Sequence, residues 1–134
     1  MKVLIKILIG IAVLIAFIYF IAIPYIHNEA KKFSPEKTAT LDLEGSLLEI
    51  YYSSPSKKGR TIFGELVPFG KIWRTGANEP TTFTTTKQIK IIDKTLPAGR
   101  YSLWTIPNKD SWKVIFNTEI PEWGVTRIDG NQTT

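Results

Sequence analysis

The sequence predicts an all-β domain, an antiparallel β-sandwich or jelly-roll-like fold, behind one N-terminal transmembrane helix. Three observations carry this. Residues Ile7 to Ile26 are twenty in a row without a charged side chain. Beyond about residue 38, apolar residues recur with period two in short runs punctuated by Gly and Pro. After Lys37 no stretch carries the 3.6-residue period of an amphipathic helix.

The apolar segment comes first. At about 1.5 Å rise per residue, twenty residues span the roughly 30 Å hydrocarbon core of a bilayer, where a helix satisfies its own backbone hydrogen bonds. A cleaved signal peptide competes, but its apolar core is about 7 to 15 residues and ends in an A-x-A-like site. Here the segment ends Ile21-Ala22-Ile23-Pro24-Tyr25-Ile26-His27, with no such site. A lipoprotein anchor needs a cysteine, and the chain has none. Tyr19 and Tyr25 suit an interface, and Pro24 is tolerated near the end of the helix. Residues 1–27 therefore read as an uncleaved signal-anchor, with residues 7–26 partnered by lipid. Lys2 and Lys6 on one flank nearly balance Lys31, Lys32 and Lys37 on the other. The short N-terminal tail favours a single-pass protein of the inner membrane with its domain facing the periplasm or cell exterior.

Residues 28–37 are polar, break at Ser34-Pro35, and read as a tether. Without Lys2 and Lys6, the 17 Lys and Arg become 15 against 12 Asp and Glu, a net of +3. This mild, scattered charge argues against nucleic acid as a partner. Lys57, Lys58 and Arg60 form the tight cluster, a solvated loop suited to anionic lipid or an acidic ligand. The absence of cysteine excludes disulfides and thiolate chemistry.

The strands follow in order. Thr38 to Leu43 alternates; Leu48, Ile50 and Tyr52 share one face of a second strand, opposite Glu49 and Tyr51. Thr81 to Thr86 is β-branched, and Gln88 to Ile92 follows it. Asp93-Lys94 and Leu96-Pro97-Ala98-Gly99 read as turns. Tyr101, Leu103 and Thr105 then alternate with Ser102, Trp104 and Ile106. After a turn at Pro107 to Asp110, Trp112, Val114 and Phe116 alternate with Lys113, Ile115 and Asn117. Glu122 to Val125 reads as the start of another element, and Asp129 to Thr134 as a turn with no returning strand.

The run from Lys58 to Glu79, above all Trp73-Arg74-Thr75-Gly76-Ala77-Asn78-Glu79, resembles a bacterial domain-of-unknown-function family, number 2911. Leu96 to Pro107 and Trp112 to Asn117 extend the resemblance, which covers roughly residues 36 to 126. It implies an exported β-rich domain behind a signal sequence or anchor, with no established activity. Members usually continue for several strands after the tryptophan-glycine pair, which implies that a domain over 38–134 lacks its C-terminal strands.

Chemistry narrows by exclusion. The single histidine, His27, lies at the membrane boundary, so no imidazole base serves a serine nucleophile and no His or Cys set serves a transition metal. No Gly-rich phosphate loop and no calcium loop occurs, so no catalytic residue, metal or cofactor is assigned. The segment from Lys71 to Glu79 remains. It sets Arg74, Thr75, Asn78 and Glu79 between Trp73 and Pro80, with Gly76 permitting unusual backbone angles.

As a binding site, Arg74 would grip a carboxylate or phosphate while Asn78 and Glu79 bond hydroxyls. As a brace, Arg74 pairs with Glu79 or another carboxylate and Asn78 closes a turn. Most of the aromatic residues belong to a sandwich core, with Trp104 the candidate stacking residue because it lies opposite Tyr101 and Leu103. The expected function is a non-catalytic binding or envelope-interaction module whose partner is an envelope ligand or protein. The alternative is a carboxylate enzyme such as a glycoside hydrolase, pairing Glu79 with Glu65, Asp110 or Glu122.

Overall fold

The computed structural model describes residues 1–123, so the readings of Gly124-Val125 and of Asp129 to Thr134 lie outside the described residues. The chain forms two compact units, Met1–Phe33 and the chain from Ser34 onward.

The first unit is one helix, Lys2–Phe33, long and apolar enough to cross a membrane; a signal sequence has the same character. It comprises α1 (Lys2–Phe17), a π-helical turn (Ile18–Ala22) and α2 (Ile23–Phe33). The π turn has a local cause. In an unbroken α-helix the Pro24 ring would collide with the Phe20 carbonyl, and widening the helix over this stretch relieves the clash. The helix runs on through the polar residues 28–33, where Lys31 and Lys32 complement the C-terminal end of the dipole. It stops where Pro35 disfavours helical angles at Ser34.

The second unit is built on antiparallel sheets. Its strands are β1 (Glu36–Leu43), β2 (Ser46–Ser53), β3 (Trp73–Arg74), β4 (Thr82–Thr85), β5 (Ile89–Ile91), β6 (Lys94–Leu96), β7 (Gly99–Pro107) and β8 (Trp112–Asn117). Six of them form an open sheet in the order β1-β2-β4-β7, with β3 and β8 also paired to β7. Strands β5 and β6 form a separate hairpin. The β1–β2 hairpin turns through Glu44 (φ 51) and Gly45 (φ 75), and Gly45 N–H donates to Asp42 Oδ1 at 2.8 Å. Positive φ at both turn residues matches the right-handed twist of the strands.

Register sorts the side chains. Ile50, Phe83 and Tyr101 form one row across β2, β4 and β7. The β5–β6 hairpin covers this face, where Phe83, Leu96 and Tyr101 pack with Leu48, Ile50, Ile89, Ile91, Leu103 and Phe116. Phe83 and Phe116 meet edge to face, with centroids 5.2 Å apart. On the opposite face Tyr51, Thr82, Ser102 and Asn117 form a row, and Arg74, Trp104 and Ile115 form the next.

The opposite face is closed as well. Trp104 is 1% exposed, and Ser102, Thr82, Asn117 and Ile115 are buried beside it. The Trp104 indole N–H donates to Ser102 Oγ at 3.0 Å, and Ser102 Oγ donates to the Glu119 carbonyl at 2.6 Å. The chain after β8 thus folds back over this face. This corrects the expectation that Trp104 offers a stacking surface. Alternation put it opposite Tyr101 and Leu103, as observed, but both faces of β7 are covered at that point.

Candidate functional site

Strands β3 and β4 lie end to end along the same edge of β7. Trp73 and Arg74 pair with Thr105 and Trp104, while Thr82 to Thr85 pair with Ser102 to Gly99. Between them Thr75 to Thr81 leave the sheet and return, so one strand is interrupted by a seven-residue excursion. Leu103 closes its base from both sides. The Leu103 N–H donates to the Thr81 carbonyl at 2.9 Å, and the Thr75 hydroxyl donates to the Leu103 carbonyl. Thr81 Oγ1 also donates to the Thr75 carbonyl at 2.7 Å.

Gly76 sits at the tightest point, with φ +80. A Cβ there would lie 2.7 Å from Thr81 Oγ1 and 3.2 Å from the Ser53 carbonyl. Only glycine meets both demands, a left-handed backbone and close approach of neighbouring atoms. Asn78 also takes positive φ (57), a conformation Asn tolerates better than most residues.

The structure brings Arg74, Thr75, Asn78 and Glu79 together at one end of the sheet, with the buried Trp104 as register partner of Arg74. Their polar groups are turned inward. Arg74 Nη1 donates to the Asn78 carbonyl at 3.2 Å, and Asn78 Nδ2 to the Ser34 carbonyl at 3.4 Å. Glu79 Oε2 accepts from Ser53 Oγ at 3.4 Å. Burial pushes the Arg74 guanidinium pKa below its ordinary value, because desolvation disfavours the charged form. These contacts tie the excursion as a wall to Arg74, Ser34 and Ser53.

That wall borders a feature the sequence reading did not assemble. Thr75 and Gly76 line a groove of about 480 Å³, between the sheet face that carries Trp73 and the chain from Ser53 to Val67. Alternation puts Trp73 on the groove side and Arg74 on the other. Ile62, Phe63, Leu66, Val67, Trp73 and Trp112 supply apolar walls, and Lys57 and Arg60 supply the charge. Among the described residues no Asp or Glu lines it. Phe63 and Trp112 meet edge to face at 5.0 Å and are 51% and 49% exposed. The signal was present in the sequence as Phe63, Leu66, Val67 and Phe69, large apolar residues in a segment without periodicity.

Backbone bonds preform the outer wall. Val67 N–H donates to the Ile62 carbonyl at 2.8 Å, and Gly64 N–H to the Val67 carbonyl at 2.9 Å. Arg60 is fixed as well, its Nε donating to the Lys57 carbonyl at 3.1 Å and its Nη2 to the Ser56 carbonyl at 2.9 Å. The carbonyls that orient the guanidinium are neutral acceptors. Chemically the arrangement is an apolar trough with a cationic rim. Among the described residues no three His, Cys, Asp or Glu side chains converge so as to hold a metal ion.

Comparison with known proteins gives one match. The family model described as a protein of unknown function (DUF2911) matches residues 34–134. No curated protein and no solved structure matches the chain.

Proposed function

This chain belongs to the DUF2911 family, whose description assigns no activity, and we propose that it is a membrane-anchored, non-catalytic binding module. In this reading the helix Lys2–Phe33 spans the inner membrane once, and the domain, a sandwich completed around the open sheet, lies outside the cytoplasm. The groove is its contact surface, and the Arg74 to Glu79 loop is the wall that holds the groove in shape.

The observation that carries this reading is the character of the groove lining: among the described residues, seven apolar side chains with Pro55 counted, six that carry a hydroxyl, two cations and no carboxylate. Ligand sites are typically concave, mostly apolar, and supplied with a few placed polar groups. A glycoside hydrolase needs two carboxylates about 5 to 9.5 Å apart across a cleft. The described lining residues have none to offer, which favours binding over that chemistry.

Anchoring and orientation are tested together. The protein should stay with membranes through an alkaline carbonate wash, and protease applied to intact spheroplasts should remove the domain. Protection from protease, or a mature N-terminus beginning after Ile26, overturns the reading.

A further inference from the structure

We propose that the groove takes up one acyl chain of an anionic lipid drawn from the bilayer that holds the helix, with Arg60 and Lys57 at the headgroup. The inference deepens the reading above and rests on its membrane anchoring.

Three observations point to this occupant. The first is the apolar trough itself, where Phe63, Trp112 and Leu66 (43% exposed) stand at the surface of a preformed recess. Large apolar side chains grouped at a surface mark a binding site. The second is charge. Among the described residues the lining carries Lys57 and Arg60 and no acid, and the two carbonyls that orient Arg60 are neutral acceptors. An apolar ligand without a charge would leave that rim unused, whereas an anionic head over an apolar tail matches both parts.

The third is connectivity. Ser53 and Ser54 line one end of the groove, and Ser54 N–H donates to the Pro35 carbonyl at 2.9 Å. Pro35 follows Phe33, where the helix ends, by two residues, which reach at most about 7 Å. The seven helical residues after Ile26, His27 to Phe33, add about 10 Å. Chain length alone therefore keeps this end of the groove within reach of the lipid surface, and bilayer lipid is the amphiphile present there at highest concentration.

The four tryptophans, Trp73, Trp104, Trp112 and Trp123, all lie after the helix, which makes the test direct. The full-length chain is placed in nanodiscs of mixed phosphatidylglycerol and phosphatidylcholine, with bromine on deep acyl carbons of one lipid or the other. Brominated acyl chains quench tryptophan on contact. Brominated phosphatidylglycerol should quench emission, and quenching should favour it over brominated phosphatidylcholine by on the order of tenfold in effective affinity. The preference should be lost in Lys57→Gln/Arg60→Gln, and the quenched component should be lost in Trp73→Phe/Trp112→Phe.

No quenching by either lipid in discs that carry the protein overturns the proposal and leaves anchoring intact, since co-elution with the discs reports anchoring separately. Equal quenching by both lipids overturns the assignment of an anionic head. Quenching that persists in Trp73→Phe/Trp112→Phe places the acyl contact outside the groove and overturns the proposal as well.

Discussion

Replacing Gly76 with alanine should be among the costliest single-methyl additions this domain can receive, and the structure permits the cost to be worked out. Two separate effects act. A left-handed backbone costs an L-residue roughly 1–2 kcal/mol relative to glycine. The added Cβ would also lie 2.7 Å from Thr81 Oγ1 and 3.2 Å from the Ser53 carbonyl. Relieving that overlap means moving the Thr81 side chain and giving up its 2.7 Å bond to the Thr75 carbonyl, about 1 kcal/mol. A backbone shift against Ser53 adds about 1–2 kcal/mol more.

The sum is about 3–5 kcal/mol. Gly59 is the internal control, with φ +71 and nothing within 4 Å of its Cβ position. Gly59→Ala should show the conformational cost alone, about 1–2 kcal/mol. The assay is thermal unfolding of the full chain in detergent, followed by tryptophan emission. For a domain of about 100 residues, 1 kcal/mol is about 4–8 °C in Tm, so the two variants should separate clearly. Equal losses at both positions would refute the argument, because backbone angle alone would then decide the cost and the closure of the loop on Ser53 and Thr81 would carry no weight.

Other positions give independent checks. Trp104→Ala should cost about 3–5 kcal/mol and Trp104→Phe about 1–2 kcal/mol, the smaller loss reflecting the missing donor to Ser102; losses within about 0.5 kcal/mol would return Trp104 to the surface. Ile92 is β-branched, 92% exposed and held at φ 58, so Ile92→Asn should raise stability by about 1 kcal/mol, seen as a higher denaturant midpoint. Arg74→Ala should lose about 1–3 kcal/mol through the Asn78 carbonyl contact and leave quenching by brominated phosphatidylglycerol unchanged, whereas Phe116→Ala, in the core, should lose about 3–5 kcal/mol. Reduced quenching in Arg74→Ala at unchanged stability would restore Arg74 as a binding residue.

Much of the sheet was legible in the sequence because period two is a long-range constraint on each strand. It located β1, β2, β7 and β8, β-branched content marked β4 with β5 close behind it, and alternation sorted Tyr101 and Leu103 from Ser102 and Trp104. It missed β6 and caught β3 only in part, as a strand-like Ile72-Trp73, for different reasons. Two residues, Trp73 and Arg74, are too few to show a period. Lys94 to Leu96 pairs in a hairpin whose turn lies one residue earlier than the polar Asp93-Lys94 pair suggested. Alternation also cannot say which face is covered, and so Trp104 was misplaced.

The candidate site was half visible. Arg74, Thr75, Asn78 and Glu79 were found as a crowded loop, but their inward bonds to Leu103, Ser34 and Ser53 depend on contacts as far as 44 residues away in sequence. The groove depends on bringing Lys57 and Phe63 against Trp112, and no local pattern encodes that.

The interrupted strand has a consequence for how this domain can vary. Register with β7 is fixed twice, by Trp73 against Thr105 on one side of the excursion and by Thr82 against Ser102 on the other. Leu103 anchors both returning ends, and its hydrogen bonds do not involve the tip of the excursion at Ala77 and Asn78. Residues added or removed between Ala77 and Asn78 would therefore change what is displayed at this end of the sheet without shifting a strand by one position. The excursion works as a socket: the sheet supplies the fastening, and the inserted segment can be exchanged with the fold left as it stands.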